Sequence, residues 1–241
     1  MTENTPTNKP IRTIKSFVHR QRNLAPTKQK ILAELWPKYG LEITNKKIDL
    51  TKIFNNQNST IIEIGFGMGE TLLHMANNFP EKNFIGIEVH MPGIGSVLSK
   101  LRTNPLTNIK IYNTDALDVL QKCVPNNSIE KFLIFFPDPW PKKRHHKRRI
   151  IQPAFVNLIA TKLKPNGILH MATDWEDYAE HMMSVLTQAP QFRNTAGESK
   201  FAARPDYRPL TKFEQRGQKL GHKIWDLIFI SLFHITNTTS A

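Results

Sequence analysis

The sequence predicts an α/β fold built on a doubly wound, mostly parallel sheet. Two observations carry that expectation. From Thr60 onward short apolar runs alternate with helical stretches, the pattern of strands that run the same way and are joined by crossover helices. One of those runs, Lys131–Phe136, is almost wholly apolar, as expected for a strand covered on both faces. The length agrees: 241 residues suffice for one such layered core and leave little for a second.

Residues 1–30 read as a flexible basic arm. Its first ten are polar and proline-containing; the remainder carries Arg12, Lys15, His19, Arg20, Arg22, Lys28 and Lys30 around Phe17 and Val18. Such an arm is either a solvated extension or one that orders on RNA. The domain itself is expected over 31–235, with a tail over 236–241. Thr60–Ile64 is the first strand, ending in a glycine-rich turn, and Glu70–Asn78 is a helix. Phe84–Val89 and a helix around Gly95–Leu101 follow, then Ile109–Tyr112 and a helix over Ala116–Gln121. After the apolar strand Lys131–Phe136, a helix runs near Pro153–Leu163, with Pro153 suited to its first turn. Ile168–Ala172 is a fifth strand. Trp175, Tyr178, Ala179, Met182, Met183 and Leu186 then recur at 3.6-residue spacing, an apolar stripe for core packing. Lys223–Phe233 is a late strand rich in Ile, Trp and Phe.

Charge narrows the partners. Thirty-three Lys and Arg stand against 20 Asp and Glu, a net charge of +13, which points to a polyanion such as nucleic acid or else to a merely solvated surface. One cysteine, Cys123, excludes a disulfide scaffold and a cysteine zinc site, and the histidines lack metal-ligand spacing, so no metal is expected. No apolar run is long enough for a bilayer and no hydrophobic leader core is seen, so a cytoplasmic protein without a membrane partner is expected. Monomer and homodimer both stay open.

In a doubly wound sheet, ligands bind outside the carboxyl ends of the strands. The first strand ends Glu63-Ile64-Gly65-Phe66-Gly67-Met68-Gly69. Gly65, Gly67 and Gly69 allow a tight turn and close ligand approach, but their spacing is not that of a dinucleotide fingerprint. A carboxylate at Glu63 would repel a pyrophosphate and favour a sulfonium or ammonium. Glu88, at the second strand end, suits ribose hydroxyls or is a solvated strand-end residue. Asp115, at the third, either caps the next helix or sits beside an adenine amino group. Taken together, the three suit adenosine with a positive centre, hence S-adenosylmethionine.

The fourth strand runs out into Pro137-Asp138-Pro139-Trp140-Pro141. Prolines forbid continuation of the ladder and hold Asp138 at the mouth. Next comes Lys142-Lys143-Arg144-His145-His146-Lys147-Arg148-Arg149. This run precedes a helix N-terminus, where cations oppose the macrodipole, so an anion such as phosphate backbone explains it better than a solvated face. Trp140 could stack on an unpaired base. Farther on, Asp174 suits an N-cap, and Thr211 and Glu214 fit a capping box that can also present polar groups to a ligand.

These segments resemble the bacterial-type tRNA (guanine-N7-)-methyltransferases. The carriers are Ser-Phe-Val-His-Arg-Gln-Arg (16–22), Glu-Ile-Gly-Phe-Gly-Met-Gly (63–69), Gly-Ile-Glu-Val-His (86–90), Phe-Phe-Pro-Asp-Pro-Trp (135–140), His-Lys-Arg-Arg-Ile (146–150), Thr-Asp-Trp-Glu (173–176) and Thr-Lys-Phe-Glu-Gln-Arg-Gly (211–217). The family usually has a glycine within the basic segment where this chain reads Arg20-Gln21-Arg22-Asn23. The resemblance implies a Rossmann-like class I methyltransferase fold, with a mostly parallel seven-stranded sheet and helices on both faces. It implies S-adenosylmethionine contacts at Glu63, Gly65, Gly67, Gly69, Glu88, Asp115 and Asp138. It implies substrate contacts at Lys142, Asp174, Thr211, Lys212, Phe213 and Glu214, and tRNA contacts at Arg144, His145, His146, Lys147, Arg148 and Arg149. The family target is guanosine 46 of the tRNA variable loop. Guanine N7 carries no proton, so no general base is needed; Asp138 is the candidate catalytic carboxylate, with Asp174 its competitor. A methyltransferase for another RNA or nucleobase position, a nicotinamide oxidoreductase and a catalytically silent RNA-binding protein are the rival expectations.

Overall fold

The structure, a computed structural model, describes residues 15–17, 24–219, 221 and 223–232. Helix α1 (Pro26–Tyr39) leads into a two-residue strand β1 (Gly40–Leu41) and a short helix α2 (Leu50–Phe54). The alternating part follows: β2 (Thr60–Ile64), α3 (Glu70–Asn78), β3 (Asn83–Ile87), α4 (Met91–Thr103), β4 (Ile109–Tyr112), α5 (Ala116–Lys122) and β5 (Ile129–Phe135). A 3₁₀ turn over Lys143–Arg148 precedes α6 (Pro153–Lys162), β6 (Leu163–Thr173), α7 (Glu176–Thr187), β7 (Phe192–Asn194), α8 (Lys212–Lys219) and β8 (Trp225–Ser231).

The strands form one sheet in the order β1-β4-β3-β2-β5-β6-β8-β7. Strands β1 to β6 run parallel to one another; β8 is antiparallel to both of its neighbours, β6 and β7. Eight strands replace the expected seven, because the two-residue β1 adds itself to β4 at the edge. The order reverses between β2 and β5, which is where an open α/β sheet offers its crevice.

Alternation along the strands divides the core in two. Ile62, Ile64, Ile85 and Ile87 pack with residues of α5, α6 and α7 on one face. Ile61, Phe84, Ile109, Ile111 and Leu133 pack with α1, α3 and α4 on the other. Replacing fully buried Ile62 with Ala would cost about 2–5 kcal/mol, since the parallel strands around it leave little room to collapse.

Helix boundaries moved where local chemistry favours it. Pro92 starts α4 at Met91, four residues before the expected Gly95, since proline's fixed φ suits a first turn. Pro26 does the same for α1, so residues 26–30, assigned to the flexible arm, are helical, and Ile31 is in the core. In the α7 stripe Tyr178, Ala179, Met182, Met183 and Leu186 are buried, but Trp175 is 41% exposed because it lies at the N-cap, before the helix begins. Cys123 is buried, its thiol donating to the Thr44 carbonyl at 3.4 Å. Among the described residues, no helix is long and apolar enough to cross a membrane, and no group of three or more His, Cys, Asp or Glu could hold a metal ion.

Candidate active site

The neighbouring strands β4, β3, β2 and β5 all end at one cleft of about 540 Å³. That lies within the range of about 300–1,000 Å³ usual for small-molecule sites. Gly65, Glu88, Asp115 and Asp138 line it, as sequence analysis expected. Glu63, Gly67 and Gly69 are not among the lining residues.

The glycines differ in purpose. Gly65 and Gly67 hold φ of +74° and +53°, and a Cβ added at either would meet nothing within 4 Å, so open space stands over both. Gly69 has φ +75°, but its added Cβ would lie 2.1 Å from Val97 Cγ2; this glycine lets the turn pack on α4. Gly93 of α4 completes that approach, since a Cβ there would reach the Gly67 carbonyl oxygen at 2.2 Å.

Glu63 is 4% exposed, and its Oε2 has no hydrogen-bond partner among the described residues. Burial, then the charge of Glu88, pushes its pKa up to about 8. A buried carboxyl with an unsatisfied oxygen at a strand end is expensive unless a donor or cation meets it. Glu88 is differently placed. Its Oε2 accepts from Gly67 N at 2.8 Å, and its Oε1 from Val89 N at 2.7 Å and His90 N at 2.9 Å. A carboxylate accepts about four hydrogen bonds, so this arrangement leaves room for one ribose hydroxyl, where two were expected. Asp115 takes the first of the two roles foreseen for it. Its Oδ1 accepts from Leu117 N at 3.0 Å as the N-cap of α5, and the residue also faces the cleft.

Asp138 is exposed and lines the cleft. The residues two before and two after it, Phe136 and Trp140, have φ of +52° and +47°, a left-handed backbone that bulky side chains rarely adopt. Each costs about 1–3 kcal/mol, and such strain collects at functional sites. Trp140 does not stand free for a base. Its Nε1 donates to the Ser16 carbonyl at 3.1 Å, and the Arg148 guanidinium sits 4.1 Å from its ring centroid. Arg148 also donates to the Phe17 carbonyl at 3.0 Å, and Ser16 and Phe17 line the cleft. This third role for the arm, as part of the cleft wall, had no signal in the sequence.

The basic run divides accordingly. Lys142, Lys143, Arg144 and Lys147 are exposed. Arg149, expected among the RNA contacts, is turned inward. It is 2% exposed, donates to the Pro139 carbonyl at 2.9 Å and pairs with Asp177, whose carboxyl it holds below the usual carboxylate range. It thereby braces the Asp138 loop. His145 lies edge-on to Trp140, and His146 lies 3.8 Å from Asp177.

The remaining substrate set sits around the β6 end and α8. Asp174 follows β6 directly, half-buried, but the N-cap of α7 is Trp175 and Asp174 is not among the cleft lining. The Thr211 hydroxyl accepts from Glu214 N at 3.2 Å, one half of the expected capping box. The other half is not seen among the described residues, where the Glu214 carboxylate turns inward to Arg208. The side chains of Lys212 and Phe213 lie outside the described residues.

Comparison with known proteins agrees with this fold. A family model described as "Putative methyltransferase" matches residues 57–227. A tRNA (guanine-N(7)-)-methyltransferase of Pseudomonas aeruginosa is 52% identical over 221 residues, 92% of this chain and 91% of the relative. One of Hydrogenovibrio crunogenus is 51% identical over 237 residues, 95% of this chain and 99% of the relative. Among solved structures, the 16S rRNA methyltransferase KamB superposes with a TM-score of 0.56 at 12% identity, covering 78% of this chain and 98% of KamB. At that identity the likeness is one of fold.

Proposed function

The chain belongs to the tRNA (guanine-N(7)-)-methyltransferase family, and from that premise we propose that it methylates N7 of guanosine 46 in the variable loop of tRNA, using S-adenosylmethionine. The observation that carries the cofactor is Glu63, a buried carboxyl with a partnerless oxygen beside a glycine turn with open space above it. Exposed cations next to the same cleft support a polynucleotide partner.

Glu63 and Glu88 would hold the cationic and ribose parts of the cofactor, and Asp115 the adenine amino group. Bound S-adenosylmethionine supplies a methyl group on a sulfonium, already strongly electrophilic. The protein therefore needs no base to unmask N7; it must hold the purine and steady the positive charge the ring gains. Asp138 is exposed at the cleft on a loop braced by Arg149, so its carboxylate can accept from guanine N1–H and the amino group while staying put. Lys142, Asp174 and Thr211 would contact the substrate nucleotide from the rim, and Lys143, Arg144 and Lys147 the phosphates.

The test is incubation with labelled methyl donor and bulk tRNA, followed by identification of the modified nucleoside. The expected product is 7-methylguanosine. Asp138→Asn should keep tRNA affinity and lose about 10²-fold in kcat; near-normal kcat would move the role to Asp174.

A further inference from the structure

Behind the cleft wall lies a buried polar chain that the reaction chemistry does not require. Arg208 is 2% exposed and grips Glu214 with both terminal nitrogens, Nη1 to Oε2 at 2.6 Å and Nη2 to Oε1 at 3.0 Å. The same Nη2 donates to Asp226 Oδ2 at 2.9 Å, and Nε lies 2.8 Å from Asp226 Oδ1. His170 Nε2 lies 2.7 Å from that Oδ1, and its Nδ1 lies 2.8 Å from the Tyr207 hydroxyl. Since a carboxylate only accepts, His170 Nε2 carries the proton and Nδ1 takes the tyrosine O–H. Burial holds the His170 pKa below its ordinary value, which keeps the ring neutral. Lys131, with its Nζ 3.9 Å from the Tyr207 ring centroid, then balances the count: two cations, two carboxylates, one neutral imidazole.

This chain ties four separate pieces together. His170 is on β6, Asp226 on β8, Glu214 on α8, and Arg208 in the segment leading to α8. It also abuts the cleft wall. The His170 ring packs edge-on against Phe135 at 4.8 Å, and the Arg208 guanidinium lies 5.8 and 5.9 Å from the rings of Phe135 and Phe136. Both phenylalanines line the cleft, and Phe136 is the strained residue that launches the Asp138 loop.

We propose that Arg208 is a positioning residue for the guanine site, acting through Glu214, whose carboxylate it holds in place at the start of α8. The clamp fixes the Thr211 end of α8 against the wall that carries Asp138. This rests on the functional reading above. Charges removed from water persist only when they are paired, and Arg208 faces both Glu214 and Asp226, so loosening one member should misplace the rim without changing the pocket's chemistry.

The experiment uses the full chain with Arg208→Lys, Glu214→Gln and the double variant. Circular dichroism, cofactor affinity by calorimetry, tRNA affinity, and kcat with KM for tRNA are read for each. Arg208→Lys keeps the charge but loses the paired fork. Each single variant should keep cofactor and tRNA Kd within about twofold while kcat falls about 10- to 100-fold, the cost of a misplacement near 1 Å. The double variant should be no worse than the poorer single, because both remove one interaction. Additive losses would mean that Arg208 and Glu214 act separately and would overturn the proposal, as would unchanged kcat. Parallel loss of cofactor affinity would reduce the cluster to general stability and overturn it equally. Should Arg208→Lys not fold, Tyr207→Phe removes one peripheral hydrogen bond and spares the ionic core; kcat lowered about two- to fivefold at unchanged cofactor Kd supports the clamp, and wild-type kcat overturns it. A wild-type protein that forms no 7-methylguanosine sinks the functional reading and this inference with it; an active wild type with indifferent variants sinks the inference alone.

Discussion

Glu63 shows how a single burial sets the behaviour of the site. In the folded protein its pKa stands at about 8, against 4.5 for the ordinary carboxyl, through desolvation and then the charge of Glu88. The folded state therefore holds a proton there that the unfolded chain releases. The associated stability is present below 4.5 and is lost as pH rises through 8. A cation brought beside Glu63 reverses the preference and expels the proton. Cofactor affinity should thus rise with pH between 6 and 8, by up to about tenfold per unit, and Glu63→Gln should remove the part that belongs to this carboxyl. Calorimetry at pH 7 in two buffers of different ionisation enthalpy checks it. Equal proton release by wild type and Glu63→Gln would mean the cation lies elsewhere. Glu88 is the contrasting case: three backbone amides already hold its carboxylate in place, so its contribution is a fixed acceptor.

At the scale of elements, what could be read in advance depended on length and period. β2 to β6 and α3 to α7 were legible because their apolar residues repeat at strand or helix spacing. β1 and β7, of two and three residues, are too short to carry a period, and each forms only because β4 or β8 offers an open edge. Acidic residues at strand ends could be found because the fold dictates where strands end. The Arg208 clamp could not, because His170 and Asp226 come from separate strands and meet the Tyr207–Glu214 segment through packing alone. The basic run was legible as charge and not as geometry. In its 3₁₀ turn Lys143, Arg144 and Lys147 face solvent, whereas Arg148 and Arg149 turn back to bind carbonyls of Phe17 and Pro139. Replacing Lys143, Arg144 and Lys147 with Ala should therefore reduce the salt dependence of tRNA binding, each lost phosphate contact lowering the slope by about 0.7–0.9. Arg149→Ala should instead lower Tm and leave the slope alone. An unchanged slope in the triple variant would place the phosphates on another face.

The whole molecule concentrates its ligand chemistry at one edge of the sheet, and this makes folding and binding interdependent. The order β4-β3-β2-β5 brings four carboxyl ends together at the switch point, so Glu88, Asp115 and Asp138 reach one cleft although they are far apart in the chain. Helices from both core clusters end there as well: α4 starts under Glu88 and α5 starts at Asp115. A ligand held by all of these must dissociate before the sheet opens, and the unfolded chain cannot reassemble the set. Saturating cofactor at about 100 times its Kd should then add about 2.7 kcal/mol. For a chain of this size each kcal/mol raises Tm by about 2–4 °C, so thermal melts with S-adenosylmethionine should shift upward by about 5–11 °C. Glu63→Gln should reduce the shift most above pH 7, where an ionised carboxylate has most to offer a cation. A melt indifferent to the cofactor at every concentration would separate the cleft from the ligand and leave the buried, partnerless Glu63 oxygen without a physical reason.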